Sequence, residues 1–144
     1  MTYSISISIL FDLPRVKVYE AINFLDNYPL WNQNILCVSK SGRLVENMII
    51  EMESMVGDKL VSSNLEIIRL IPNESIEMIN NSGVISYRII YQLLNMEQNE
   101  TELICMVQFT FRNFSMDLAR PGIEAMAEER IRTNLTNLKV LLES

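Results

Sequence analysis

The first third of the chain changes from an alternating to a helical pattern of hydrophobic and polar positions. Residues 4–9 alternate between serine and isoleucine, which predicts a strand with one exposed and one buried face. Asp12 and Pro14 then indicate the start of a helix, with Asp12 as the capping residue and Pro14 in the first turn. A break at residues 27–29 precedes a second short helix, predicted around residues 30–34. Two short helices therefore follow one strand.

The middle of the chain, from Ile35 to Arg112, is rich in β-branched residues that alternate with polar ones. Turn signals interrupt it at Ser41-Gly42, Gly57-Asp58, Pro72-Asn73-Glu74, Asn80-Asn81-Ser82-Gly83 and Glu97-Gln98-Asn99-Glu100. They divide it into six strands, near residues 35–40, 44–56, 60–71, 75–80, 84–96 and 101–112. Because the turns are short, the strands are expected to form an antiparallel meander.

The end of the chain is helical in pattern. An apolar stripe repeats at helical spacing through Ile123, Met126, Ala127, Ile131, Leu135, Leu138 and Leu142. Nothing after Pro121-Gly122 interrupts it, so one long helix is predicted over roughly residues 120–142.

The order of these elements predicts an α+β fold in a single domain that spans residues 1–144. Seven twisted antiparallel strands curve, and the long C-terminal helix is the element able to cover the resulting face. When a strongly curved sheet wraps around one helix, the side chains of the two can fail to meet. An internal cavity is then a natural outcome.

Local sequence also resembles a known family. The run from Ile7 to Pro14 with residues 18–22 resembles the first strand and helix start of the START/polyketide-cyclase-like (SRPBCC, birch-pollen-allergen-like) helix-grip superfamily. Residues 28–32 are similar to its second-helix tryptophan, residues 65–72 to its fourth strand, and residues 134–143 to its closing helix. The resemblance implies a helix-grip fold of order β-α-α-β6-α. Glu100-Thr101 departs from it, because many members carry Gly-Thr before the last strand.

Composition and charge exclude several functions. The chain has no histidine, which removes serine triads, imidazole bases and histidine zinc sites. With no phosphate-binding glycine motif either, no cofactor and no metal site are predicted. The formal charge of −6 and the scattered basic residues argue against nucleic-acid binding. Cys37 and Cys105 lie far apart, as free thiols do, and no apolar run approaches the ~20 residues of a membrane span. We expect a cytoplasmic protein without stable membrane insertion, a monomer or homodimer.

The predicted ligand-binding residues are those expected to face inward from the sheet or from the long helix. On the strands they are Met48, Ile50, Met52, Leu65, Ile67, Met78, Tyr87, Tyr91, Phe109 and Phe111, and on the helix Met126, Arg130 and Asn134. The methionines suit either a flexible ligand or an ordinary core. The two tyrosine hydroxyls need a ligand, water or protein partner. Arg130 and Asn134 either contact solvent at the rim or bind a ligand's carboxylate, phenolate or carbonyl.

Three functional hypotheses remain. The first is a protein that binds or carries a small hydrophobic or amphipathic molecule. The second is a polyketide cyclase, aromatase or dehydratase, in which Tyr87, Tyr91 and Arg130 orient the substrate and stabilise an enolate. The third is a protein-interaction module, although no exposed apolar patch is evident in the sequence. The catalytic residues of an enzyme are not identified, and Trp31 is expected to close one end of the sheet.

Overall fold

The structure, a computed structural model, describes residues 2–33, 35–56, 59–81, 85–111 and 118–144. The strands are β1 (Thr2–Phe11), β2 (Ile35–Val38), β3 (Ile49–Val56), β4 (Lys59–Ile71), β5 (Ser75–Asn80), β6 (Ile85–Asn95) and β7 (Thr101–Phe111). The α-helices are α1 (Arg15–Asn23), α2 (Tyr28–Trp31) and α3 (Arg120–Glu143), with 3-10 turns at Leu25–Asn27 and Glu97–Asn99. The predicted order of elements is confirmed.

All seven strands form one antiparallel sheet in the order β1-β7-β6-β5-β4-β3-β2. The six consecutive strands β2 to β7 form the predicted meander, and β1 pairs with β7 along its whole length. Turn residues supply the backbone conformations that the connections need. Asn73, between β4 and β5, has φ of 64°, and Gly42 has φ of 86°. The predicted turn residues Gly57, Asp58, Ser82 and Gly83 lie outside the described residues.

One face of the sheet, called here the inner face, carries most of the core. The alternation of β7 places Leu103, Cys105, Val107, Phe109 and Phe111 there, all of them buried. Neighbouring strands contribute Ile50, Met52, Leu65, Ile67, Ile76, Met78, Tyr91 and Leu93, also buried. The period-2 pattern therefore predicted the inward phase of these strands correctly.

The long helix α3 begins at Arg120, as predicted, and follows the direction of β1. At its start, the Arg120 guanidinium lies 4.3 Å from the centroid of the Tyr3 ring. Near its end, Lys139 Nζ donates a hydrogen bond to the Leu10 carbonyl. These contacts hold α3 along the β1 side of the inner face. No helix within the described ranges is both long enough and apolar enough to cross a membrane.

Several predicted boundaries were wrong. The strand predicted over 44–56 starts at Ile49, because Asn47 takes a positive φ of 69° and the Met48 amide donates to the Val45 carbonyl at 3.1 Å. Met48 therefore precedes β3. The second helix was predicted around 30–34 but occupies Tyr28–Trp31, and Asn34 lies outside the described residues.

Asp12 does not cap α1. The residue at the N-cap is Pro14, without a side-chain cap. The Asp12 backbone amide instead donates to Glu143 Oε1 at 2.6 Å, which joins the end of β1 to the end of α3. β2 ends at Val38 rather than at residue 40, and the predicted strand ends at residues 84 and 112 fall outside the described residues.

Candidate functional site

Burial changes along the face of α3 that is directed towards the core. Leu135 and Leu138, in the second half, are buried. Ile123, Ala127 and Ile131, in the first half, pack against the core but remain partly exposed. The helix therefore packs most tightly against the sheet around Leu135 and Leu138 and less tightly along its first half, and Leu142 in its last turn is again partly exposed.

The inner face of the sheet shows the same gradient along β6. Tyr91 and Leu93 are buried, whereas Tyr87 and Ile89 contact the core and stay partly exposed. We call the partly exposed set Tyr87, Ile89, Ile123, Ala127 and Ile131 the open end. The buried set Tyr28, Trp31, Tyr91, Leu135 and Leu138 is called the closed end.

At the open end, the Tyr87 hydroxyl already has protein partners. Asn80 Nδ2 donates to Tyr87 Oη at 3.4 Å, and Ser63 bonds the same hydroxyl. Burial raises the pKa of Tyr87, and the hydrogen bonds to Asn80 and Ser63 oppose that rise. The phenol therefore stays protonated at neutral pH.

At the closed end, α2 inserts two aromatic rings against the sheet. The centroids of Tyr28 and Trp31 are 5.2 Å apart, and Trp31 meets Tyr91 edge-on with centroids 6.3 Å apart. Trp31 is 1% exposed and does close this end of the sheet, as its position after the break at 27–29 predicted. Tyr28 was not predicted as a site residue, although it lies one helical turn before Trp31.

Burial dominates the electrostatics of the closed end. It raises the pKa of Tyr91 well above its usual value, with smaller contributions from Cys105, Tyr28 and Tyr87. Burial also raises the pKa of Tyr28, and raises the pKa of the Cys105 thiol to about 12. These groups are neutral at physiological pH, so they can donate hydrogen bonds but do not carry charge.

Two polar atoms of the closed end lack a partner. Tyr28 Oη and Trp31 Nε1 are fully buried, and neither forms a hydrogen bond with any part of the chain that the structure describes. A buried donor without a partner costs about 1–3 kcal/mol, and native proteins contain few of them. The sequence contained one signal for this pair, the Tyr-Pro-Leu-Trp spacing on a single helical turn.

The helix candidates divide into three cases. Asn134 is buried, and its Oδ1 accepts a hydrogen bond from the Gln33 amide at 3.2 Å, so it helps to hold α2 against α3. Arg130 is half-buried at the level of the open end. Met126 is 49% exposed, so about half of its side chain lies on the protein surface.

The sheet candidates lie together. Ile50, Met52, Leu65, Ile67, Met78, Tyr91, Phe109 and Phe111 belong to one buried cluster, against which Met48 and Tyr87 pack. The Phe111 ring also contacts Tyr3, with centroids 5.5 Å apart. The inward direction of these residues was thus predicted from the sequence, whereas contact with a ligand remains a prediction.

The described residues form at least two surface depressions. One, of about 560 Å³, is lined by Leu10, Asn95, Met96, Glu97 and Glu100. The other, of about 130 Å³, lies beside Cys37 and Val38 on β2 and the following Ser39, and reaches Glu51, Met52, Glu53 and Ser62. Of the predicted site residues, Met52 lines the second. No cluster of metal-ligating side chains occurs within the described part of the chain.

Comparison with solved structures identifies the architecture. The ZhuI aromatase/cyclase from Streptomyces sp. R1128 superposes with a TM-score of 0.85 at 13% identity, over 99% of this chain and 94% of that one. A START superfamily protein from Mycobacterium smegmatis gives a TM-score of 0.80 at 12% identity, over 97% of each chain. The chain has the helix-grip fold. This is the fold of the START/polyketide-cyclase-like superfamily, as the sequence resemblance implied.

The helix-grip likeness extends to larger proteins. The di-domain ARO/CYC StfQ, from the steffimycin biosynthetic pathway, matches with a TM-score of 0.83 at 11% identity, and the match covers 51% of its length. No protein-family model matches the sequence, and no curated protein is similar to it. At these identities the helix-grip likeness establishes the fold, and function has to be argued from the site.

Proposed function

We propose that this helix-grip protein binds a small hydrophobic or amphipathic molecule between the first half of α3 and the inner face of the sheet. The observation that carries the proposal is the burial gradient along α3. Ile123, Ala127 and Ile131 face the core yet remain partly exposed. Ligand sites in proteins are mostly apolar and contain a few polar groups, and the open end combines four apolar side chains with the Tyr87 hydroxyl.

The sheet candidates would form the floor of this site. Ile67, Met78 and Ile89 lie side by side on three neighbouring strands, and the first two are almost fully buried whereas Ile89 is partly exposed. Methionine side chains adapt to different shapes, which suits a site for a flexible apolar molecule. Arg130 would stand at the rim, where its stem covers the apolar part of the ligand and its charge stays in water.

A pair of alanine variants tests the site. Ala127 is partly buried on the inner side of α3, and Ala125 is exposed on the same helix. Ala127→Trp should fill the space at the open end and weaken calorimetric binding of 1-ethylnaphthalene by ten-fold or more. Ala125→Trp should leave that affinity unchanged. Absence of saturable binding to the parent protein would refute the proposal.

Native mass spectrometry of protein purified from its host is the companion experiment. A retained mass that disappears in Ala127→Trp but persists in Ala125→Trp would identify the ligand and its location together.

The enzyme hypothesis rests on a different observation. Tyr91 lies in the core and burial keeps its phenol protonated, so it would donate a hydrogen bond to a developing enolate oxygen. The ZhuI protein, whose solved structure has a similar fold, is named as an aromatase/cyclase. Incubation with a linear poly-β-ketone distinguishes the two: a carrier returns it unchanged, whereas a cyclase yields a ring that absorbs in the near ultraviolet.

A further inference from the structure

The two donors without partners lie on the same side of one helical turn. Tyr28 and Trp31 are three residues apart in α2, which places their side chains next to each other. Their ring centroids are 5.2 Å apart, and both residues are at most 2% exposed. Tyr28 Oη and Trp31 Nε1 thus form a pair of buried polar atoms within one small region.

The described residues that are known to lie beside the pair carry no charge. Trp31 packs against Tyr91, which pairs with Cys105 on β7, and Tyr19 lies close enough to Tyr28 to affect its pKa; all three are buried, neutral groups. An anion at this position would lose its hydration without a cation to compensate. Indole and phenol both donate hydrogen bonds, so the group that satisfies them is a neutral acceptor such as a carbonyl, ether or alcohol oxygen.

The position of α2 relative to α3 sets the distance between the two donors and Arg130. Asn137 Nδ2 donates to the Trp31 carbonyl at 3.3 Å, which fixes the level of the pair along α3. Arg130 is seven residues earlier, or about 10 Å along the helix axis. A molecule with one or two rings spans a similar length.

We infer that Tyr28 Oη and Trp31 Nε1 together receive one neutral acceptor oxygen of the bound molecule, whose apolar remainder extends towards the open end. The inference rests on the proposed function and narrows its ligand to a neutral, oxygen-bearing hydrophobic molecule. A hydrocarbon of the same shape leaves both donors unsatisfied, and burying donors without a partner lowers binding affinity.

Three naphthalene probes and two variants test this inference by calorimetry. The probes are 1-acetylnaphthalene, its hydrocarbon isostere 1-isopropylnaphthalene, and 1-naphthoic acid. The ketone should bind at least ten-fold more tightly than the hydrocarbon. Tyr28→Phe, which removes only the hydroxyl, should reduce ketone affinity by five-fold or more and leave hydrocarbon affinity unchanged. Tyr19→Phe makes the same change in a buried tyrosine of α1 and should affect neither probe.

The possible results distinguish a failure of the donor pair from a failure of the proposed function. Equal affinities for the ketone and the hydrocarbon, unaffected by Tyr28→Phe, would overturn the donor pair while leaving the apolar site intact. If 1-naphthoic acid bound more tightly than the ketone, the preference for a neutral acceptor would be wrong. Failure of all three probes to saturate would overturn the proposed function as well.

Discussion

Trp31 stands edge-on to Tyr91, at 78° between the ring planes and 6.3 Å between the centroids, and so joins α2 to the middle of β6. The Trp31 carbonyl also accepts a hydrogen bond from Asn137 on α3. One residue of a four-residue helix thus contacts both the sheet and the long helix. This arrangement closes one end of the interior, and Ile123, Ala127 and Ile131 leave the other end open.

Asn134 is predicted to contribute to stability through α2. Its Oδ1 accepts from the Gln33 amide, so Asn134→Ala should lower the free energy of unfolding by about 1 kcal/mol in urea. Thr136→Ala, at an exposed position of the same helix, should change it by less than about 0.5 kcal/mol. Unchanged stability with weakened probe binding in Asn134→Ala would instead assign Asn134 to the ligand.

Removal of the Thr101 hydroxyl is predicted to destabilise the protein more than removal of the Thr110 hydroxyl. It is fully buried, and its Oγ1 donates to the Leu13 carbonyl at 2.7 Å, which connects β7 to the start of α1. Thr101→Val keeps the shape but leaves that carbonyl unsatisfied, at a cost of about 1–3 kcal/mol in urea unfolding. Thr110→Val, at an exposed position of the same strand, serves as the control. Equal effects of the two changes would contradict the role assigned to Thr101.

The two thiols should differ in reactivity towards iodoacetamide. Cys37 is exposed, while Cys105 is buried and its pKa is raised to about 12, so the folded protein should lose one thiol at pH 8 and the unfolded protein two. The hydrogen bond that Cys37 Sγ donates to Glu53 Oε2 at 3.4 Å raises the pKa of Cys37. A raised pKa leaves a smaller fraction of Cys37 as the reactive thiolate at pH 8. Glu53→Gln removes this effect and should accelerate alkylation of Cys37, whereas the exposed Glu51→Gln should not. Rapid modification of Cys105 in the folded state would contradict its burial.

Arg130 is predicted to act at the rim rather than as a buried binding group. The Arg130 side chain is partly exposed, and water screens the charge of such a group. Arg130→Met should therefore weaken binding of 1-naphthoic acid by at most about five-fold and leave binding of 1-acetylnaphthalene unaffected. Arg132→Met, at the exposed position that pairs with Glu128, should affect neither probe. A loss of ten-fold or more for the acid alone would place the Arg130 guanidinium inside the site.

Local patterns explain how much could be predicted from the sequence. Alternation along the strands placed Ile50, Met52 and Met78 on the inner face, because a period of two leaves no other choice once one face is buried. The third predicted strand starts late, at Ile49, because the left-handed conformation of Asn47 is a property of that single residue. The sequence could not predict the hydrogen-bond partner of Asp12, which is on the last turn of α3.

The candidate site was predictable in part for the same reason. Its sheet residues follow from strand alternation, whereas the pairing of Tyr28 and Trp31 with Tyr91 depends on how α2 packs across β6. Met126 lies on the apolar stripe of the sequence but at its edge, and in the structure it is half exposed. Helical spacing defines a stripe, but the neighbouring elements determine how wide a part of it is covered.

The most direct test of ligand binding at the open end is a titration followed by methyl NMR of protein labelled at the isoleucine methyl groups, with 1-acetylnaphthalene as the probe. Ile89, Ile123 and Ile131 belong to the open end, whereas Ile49 is exposed on β3 and provides an internal control. If the probe binds at the open end, the three open-end isoleucines should show saturable shifts and probe-to-methyl nuclear Overhauser effects, and Ile49 should show none. Shifts that fail to saturate, or that occur at Ile49 and not at Ile123 and Ile131, would contradict it.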